Sequence, residues 1–224
     1  AQVGQVPDGQ GNIEDKERLN LPGRGFSLRE AIRTRQFWMV WVIFFCFGYT
    51  RSATLVHVAP HITDLGFSLV VGANALSVIS GVSIFGRIIF GRVSDSIGSR
   101  PTLVISFIMT AVILCWVVVA EQLWMLYLFA AIFGLGWGAL AILRISVTIE
   151  MFGLGSLGVI LGMAEFGATV GGASGPLLSG WIFDITNSYY SAFLLSAGVG
   201  VLGLIMSWLL RPIGDKRTGV DTNE

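Results

Sequence analysis

Six apolar runs, each near or above the length that crosses a bilayer, constrain this chain more than any other feature. They cover residues 37–59, 69–92, 102–120, 124–148, 158–183 and 190–210. A bilayer core of ~30 Å needs about 20 apolar helical residues to cross. Membrane-spanning strands are about ten residues long and alternate in polarity, and these runs do neither. The reading is an all-α integral membrane protein with six transmembrane helices. Composition agrees: 54% of the residues are hydrophobic and 12% are charged, against about 25% charged in soluble domains. No nucleic-acid partner is expected.

Charge placement gives the topology. Six of the 14 Lys and Arg precede residue 37, Arg92 and Arg100 lie between the second and third runs, and Arg211, Lys216 and Arg217 follow the last. The loops on the opposite side hold Asp64, Glu121 and Asp184 without a Lys or Arg. The positive-inside rule then puts both ends of the chain and the stretch GRVSDSIGSRP (91–101) on the cytoplasmic side of a cell (inner or plasma) membrane. Aromatics that open spans one, four and six (Phe37 and Trp38, Trp124 and Tyr127, Tyr189 and Tyr190) suit the interfaces. Cys46 and Cys115 lie within apolar runs and suggest neither a disulfide framework nor a zinc site.

Three segments follow from this division. Residues 1–36 read as a polar cytoplasmic linker, in which the capping-box spacing of Ser27 and Glu30 predicts a short juxtamembrane helix. Residues 37–211 form the bundle, and residues 212–224 a cytoplasmic tail. A first residue of Ala rather than Met suggests an excised piece of a longer protein.

The second half of the bundle echoes the first. GRIIFGRVSD (86–95) and GPLLSGWIFD (175–184) share Gly86, Gly91 and Asp95 with Gly175, Gly180 and Asp184 at a constant offset of 89, and Phe47-Gly48 returns as Phe133-Gly134. Two three-helix units follow. Three is odd, so the second unit is inverted, an architecture of secondary transporters that places the site at the repeat interface.

These residues reach a family. Gly91-x3-Asp95-Ser96-x-Gly98-Ser99-Arg100 resembles the loop between helices eight and nine of major facilitator superfamily transporters. GASGPLLSGWIFD resembles helix eleven, and HVAPHITDLG the end of helix seven in the carboxylate-transporting branches, those of the monocarboxylate transporters and oxalate–formate exchangers. The resemblance implies the second half, helices seven to twelve, of a twelve-helix fold whose N-terminal six-helix half is missing. It also implies a conformational latch in the loop, formed by Gly91, Arg92, Asp95, Gly98 and Arg100. Glu150, which ends span four on the same side, is a partner that Arg92 or Arg100 could reach. Asp95 could face the positive end of the following helix. Ser96 and Ser99 replace the family's usual basic residues, which weakens any ionic latch.

Charges inside the spans are the candidates for substrate chemistry. Arg51, Arg87, Arg144 and Glu165 all lie within apolar runs, where an Arg costs about 2.5–3.5 kcal/mol on insertion scales and faces a cavity or a partner. Three guanidinium groups against one carboxylate suit a small organic anion, held by forked hydrogen bonds. Glu165 is a candidate to take up and release a proton. The family resemblance strengthens Arg87, because carboxylate transporters place a substrate-binding Arg four residues before the loop glycine. Their oxalate-type members carry a Lys in helix eleven that this chain lacks, which weighs against oxalate exchange.

Other patterns are weaker. Gly171, Gly175, Pro176 and Gly180 belong to a glycine-crowded fifth span and read as helix packing and bending. His57, His61 and Asp64 superficially suggest a metal site, but Pro60 disfavours regular helix there, and a helix end is expected instead. No metal and no cofactor are implied. Two rival functions remain. GASG (172–175) matches the nucleophile motif of intramembrane proteases, yet both His residues precede Ser174 by more than a hundred positions. A six-helix transporter or channel working as a homodimer shares every helix-level feature. The reading is a secondary transporter of a small organic anion, a carboxylate coupled to protons, that rocks against a second half.

Overall fold

The computed structural model describes residues 26–211. The linker reading for residues 1–25 and the tail reading for residues 212–224 lie outside the described residues. A short helix α1 (Leu28–Ile32) leads into six long ones: α2 (Arg35–Asp64), α3 (Leu69–Ile97), α4 (Ser99–Val117), α5 (Leu123–Phe152), α6 (Leu157–Thr186) and α7 (Tyr190–Leu209). All six are long and apolar enough to cross a membrane, and the described residues contain no strand.

Helix ends depart from the apolar runs for local reasons. The capping box is formed: the Glu30 amide donates to Ser27 Oγ, and the Ser27 amide to Glu30 Oε2. It supports only five helical residues, because Thr34 recaps the chain and accepts the Phe37 amide at 3.2 Å. The charged stretch 91–101 was expected as a loop, but α3 continues to Ile97 and α4 begins at Ser99. Gly98 alone makes the turn, at φ 92°, where a side chain would be strained. Pro101 is tolerated because the first amides of a helix have no intrahelical acceptor to miss. Pro60 does not end α2 either. The helix runs four residues past it, with the ring exposed and only the Val56 carbonyl deprived of a donor.

Glycine lets the helices meet at their backbones. A Cβ built on Gly171 would lie 2.1 Å from the Phe45 carbonyl oxygen, and those on Gly167 and Gly175 would lie 2.7 and 2.6 Å from the carbonyls of Trp41 and Tyr49. Three glycines four residues apart on α6 therefore step along three carbonyls four residues apart on α2, and the two helices run parallel. On the other side, Gly134 and Gly138 of α5 meet the carbonyls of Ile79 and Ser83 of α3, and Gly86 meets that of Leu135.

These contacts repeat under one transformation. Gly48 against Ala168 corresponds to Gly134 against Ile79, Gly175 against Tyr49 to Gly86 against Leu135, and Gly172 against Ser52 to Gly138 against Ser83. In every case α2 maps to α5 by 86 residues and α3 to α6 by 89, the two offsets of the sequence echoes. The pairs α2–α6 and α3–α5 are counterparts, and α4 packs on α7, its own counterpart. The fold is two inverted three-helix units related by a pseudo-twofold axis.

Two apolar clusters fill the bundle. One gathers Phe37, Phe44, Leu143 and Phe152 near the chain ends, and the other Ile79, Phe129, Phe133 and Phe193 at the opposite end. Trp137 packs against both, marking the level between them.

Gly138→Leu, which drives a side chain into the Ser83 carbonyl, is expected to destabilise the bundle by about 1–3 kcal/mol or more. Gly81→Leu, on a face with nothing within 4 Å, is expected to cost little. Thermal denaturation in detergent, followed by circular dichroism, separates them; equal losses would contradict the packing described.

Candidate functional site

A cavity of about 340 Å³ opens at the level of Trp137 and is lined by residues of four helices. From α2 come Phe47, Gly48, Arg51 and Ser52; from α3, Arg87; from α5, Trp137, Ala141 and Arg144; from α6, Glu165, Ala168, Thr169 and Gly172. The spacings are those of single helix faces. Phe47 and Arg51 are one turn apart, Trp137, Ala141 and Arg144 occupy two turns, and Glu165, Ala168 and Gly172 do the same on α6. The small residues Gly48, Ala168 and Gly172 keep the cavity open where α2 and α6 touch.

All four charges singled out from the sequence line this one cavity. Arg144 Nη1 donates to Glu165 Oε2 in the only ion pair among the described residues. The Arg144 Nε is buried and makes no hydrogen bond within the described residues. Its guanidinium also lies 4.5 Å from the ring centroid of Phe47 and 5.8 Å from that of Phe44. Arg51 stacks over Trp137 at 5.1 Å. Attraction of a cation to a ring face is worth about 0.5–2 kcal/mol depending on desolvation, so aromatic faces hold two of the three guanidinium groups in place. Arg51 and Arg87 have no ion-pair partner among the described residues. With one carboxylate against three guanidinium groups, the lining keeps a net positive charge. Its volume lies at the small end of the range for ligand pockets.

The α3–α4 turn is tied differently from the expectation. Neither Arg92 nor Arg100 pairs with Glu150. Instead Glu150 Oε2 accepts the Ser99 backbone N–H at 3.3 Å, placing a carboxylate of α5 at the positive end of the α4 dipole. Arg100 donates to the Trp208 carbonyl of α7. Asp95 is exposed and makes no ion pair among the described residues, so Glu150 takes the place that was expected of Asp95. The physical reason is the single-residue turn. α3 extends to Ile97, so Asp95 and Arg92 stay on α3, while the bare N-terminus of α4 faces the end of α5. Ser94 and Ser99, both buried, bond hydroxyl to hydroxyl at 3.3 Å across Gly98. Gly91 has nothing within 4 Å of where its Cβ would be.

In α6, Gly171 and Gly175 sit at backbone contacts, whereas Gly180 only brushes His57 at 3.8 Å. His57 Nε2 lies 3.1 Å from the Pro176 carbonyl. The His57 ring is tilted against Tyr189 and the His61 ring meets it edge-on, and no group of three His, Cys, Asp or Glu that could hold a metal occurs among the described residues. The Ser174 hydroxyl donates to the Gly171 carbonyl of its own helix. Sequence reasoning missed Trp137 and Phe47. Their signal was spacing: Phe47 lies one turn before Arg51, and Trp137 two turns before Arg144.

The profile of the Major Facilitator Superfamily matches residues 40–224. Monocarboxylate transporter 13 of Rattus norvegicus is 30% identical over 199 residues, covering 80% of this chain and 46% of that protein. The oxalate:formate antiporter of Oxalobacter formigenes is 28% identical over 102 residues, 44% of this chain and 24% of that one. The chain thus spans less than half the length of these relatives. Among solved structures, the transporter FucP in its outward conformation superposes with a TM-score of 0.64 at 15% identity, over 93% of this chain and 47% of that one.

Removing one member of the α5–α6 ion pair should cost on the order of 1–3 kcal/mol, the range for leaving a partly buried polar group without its partner. Glu165→Gln and Arg144→Gln are each expected to lower the denaturation temperature in detergent. The double variant should fall short of the sum of the single losses, and strict additivity in this double-mutant cycle would show the pair uncoupled.

Proposed function

The chain belongs to the Major Facilitator Superfamily, and on that premise we propose that it is the C-terminal half of a twelve-helix transporter that moves a small carboxylate together with protons. The observation that carries this reading is the convergence of Arg51, Arg87, Arg144 and Glu165 on one cavity between the two repeats. Relatives named for monocarboxylates and for oxalate and formate support the substrate class. α3 and α6, which supply Arg87 and Glu165, are the least covered spans. In this reading their open faces receive an N-terminal six-helix half, which closes the cavity from the other side.

The chemistry follows from donors and charge. In the resting arrangement Glu165 neutralises one guanidinium group. A substrate carboxylate entering the cavity meets Arg51 and Arg87, which offer planar forks of N–H donors. A proton delivered to Glu165 removes its charge, releases Arg144 and leaves three guanidinium groups for the substrate. Proton and anion therefore favour each other's binding, and loss of the proton restores the competing carboxylate. Rocking of the two halves exchanges the sides, with both chain ends and the α3–α4 turn on the cytoplasmic side. The Ser99–Glu150 and Arg100–Trp208 bonds tie that turn to α5 and α7. Each is worth about 0.5–3 kcal/mol, enough to bias two nearly balanced states without locking either.

The coding sequence preceding Ala1 tests the architecture: six further apolar spans are expected, whereas a start codon directly before Ala1 would favour a homodimer. With the complete protein in proteoliposomes, Glu165→Gln is expected to flatten the pH dependence of carboxylate uptake, and Arg144→Ala to raise KM about tenfold or more. Unchanged pH dependence would reject Glu165 as the proton carrier, and unchanged affinity would reject Arg144 as an anion ligand.

A further inference from the structure

A second cavity, of about 310 Å³, lies at the rim of the bundle where the chain enters the first span and leaves the last. It is lined by Arg35, Gln36 and Met39 of α2, by Leu209 of α7 and by Arg211 just beyond it. Arg35 and Arg211 are exposed and make no ion pair among the described residues. Met39 is buried and Leu209 half exposed, so the groove has a cationic mouth and an apolar wall. The positive end of the α2 dipole adds to the same field. Trp38 and Trp208, next in sequence to the groove, are 52% and 65% exposed, and half-exposed indoles belong at the level of lipid head groups.

Two exposed guanidinium groups without an ion-pair partner among the described residues, above an apolar wall at the boundary of the spans, complement an amphiphile with an anionic head. We propose that this groove is a binding site for an anionic phospholipid. The phosphodiester sits between Arg35 and Arg211 with Gln36 as a further donor, and an acyl chain runs along Met39 and Leu209. A free anion would use the mouth but gain nothing from the wall. A zwitterionic lipid would bring its own cation to an already cationic mouth. The site is separate from the central cavity and stands whether or not the transport reading holds. Its occupant would pin the N-terminal end of α2 to the C-terminal end of α7, the two points where the bundle joins its polar flanks.

Native mass spectrometry of the detergent-solubilised chain tests this with dioleoylphosphatidylglycerol and dioleoylphosphatidylcholine as probes. One phosphatidylglycerol should be retained about thirtyfold more strongly than phosphatidylcholine, as two basic side chains at a membrane surface imply. Arg35→Gln with Arg211→Gln should abolish the preference, each single variant should lose about fivefold, and excess inorganic phosphate should not compete. The exposed pair Arg29→Gln with Arg33→Gln removes the same charge from α1 and its C-cap and should leave the preference intact. Equal retention of the two lipids, equal loss in the α1 pair, or displacement by inorganic phosphate would each overturn the proposal. The first two outcomes mean a diffuse basic surface, and the last a simple anion site.

Discussion

Backbone-to-backbone contact between glycines and carbonyls is the constraint on which the rest of this bundle depends. In lipid there is no hydrophobic driving force between helices, because acyl chains are as apolar as leucine. Association has to come from close packing, and the closest packing needs positions with no side chain. On α6, Gly167, Gly171 and Gly175 provide a groove one helical turn per step, into which the backbone of α2 fits. Gly134 and Gly138 do the same for α5 against α3. The two parallel pairs fix where the axis between the units lies, and the central cavity forms beside it, where small residues continue but bulkier ones begin.

The charges break the symmetry that the glycines establish. The counterparts of Arg87, Arg144 and Glu165 are Pro176, Val58 and Leu76, none of them charged. A scaffold built twice thus carries its polar chemistry once. The cost of placing a guanidinium group in a span is met differently at each Arg. Arg144 has a carboxylate and two rings. Arg51 has one indole, and Arg87 has the cavity itself. The least satisfied of these groups are the ones with hydrogen-bond donors still to spare.

Much of this was legible in the sequence, for physical reasons. Long apolar runs locate membrane helices because nothing else tolerates lipid, and an isolated charge inside such a run is conspicuous. The echoes at offsets 86 and 89 carried the repeat, and the glycine contacts return the same two numbers. What was not legible depended on neighbours. The end of α3 was hidden because charged residues that reach water still continue a helix, as Arg92 and Asp95 do. Glu150 was expected to find a side chain and found a backbone amide, since the sequence does not say which helix terminus lies opposite. Trp137 and Phe47 were hidden because an aromatic residue that lines a cavity and one that faces lipid look alike in an apolar run.

The contact between Arg51 and Trp137 has a consequence of its own. The two residues are each other's counterparts, 86 positions apart, and they touch. A residue that meets its own counterpart sits on the axis. A faithful duplication would have set two arginines there to repel, or two tryptophans to stack on each other and seal the space. One of each gives a cation seated on a ring at the centre of the molecule. The charged lining of the cavity therefore belongs to neither unit alone: Arg51 and Arg87 come from the first, Arg144 and Glu165 from the second.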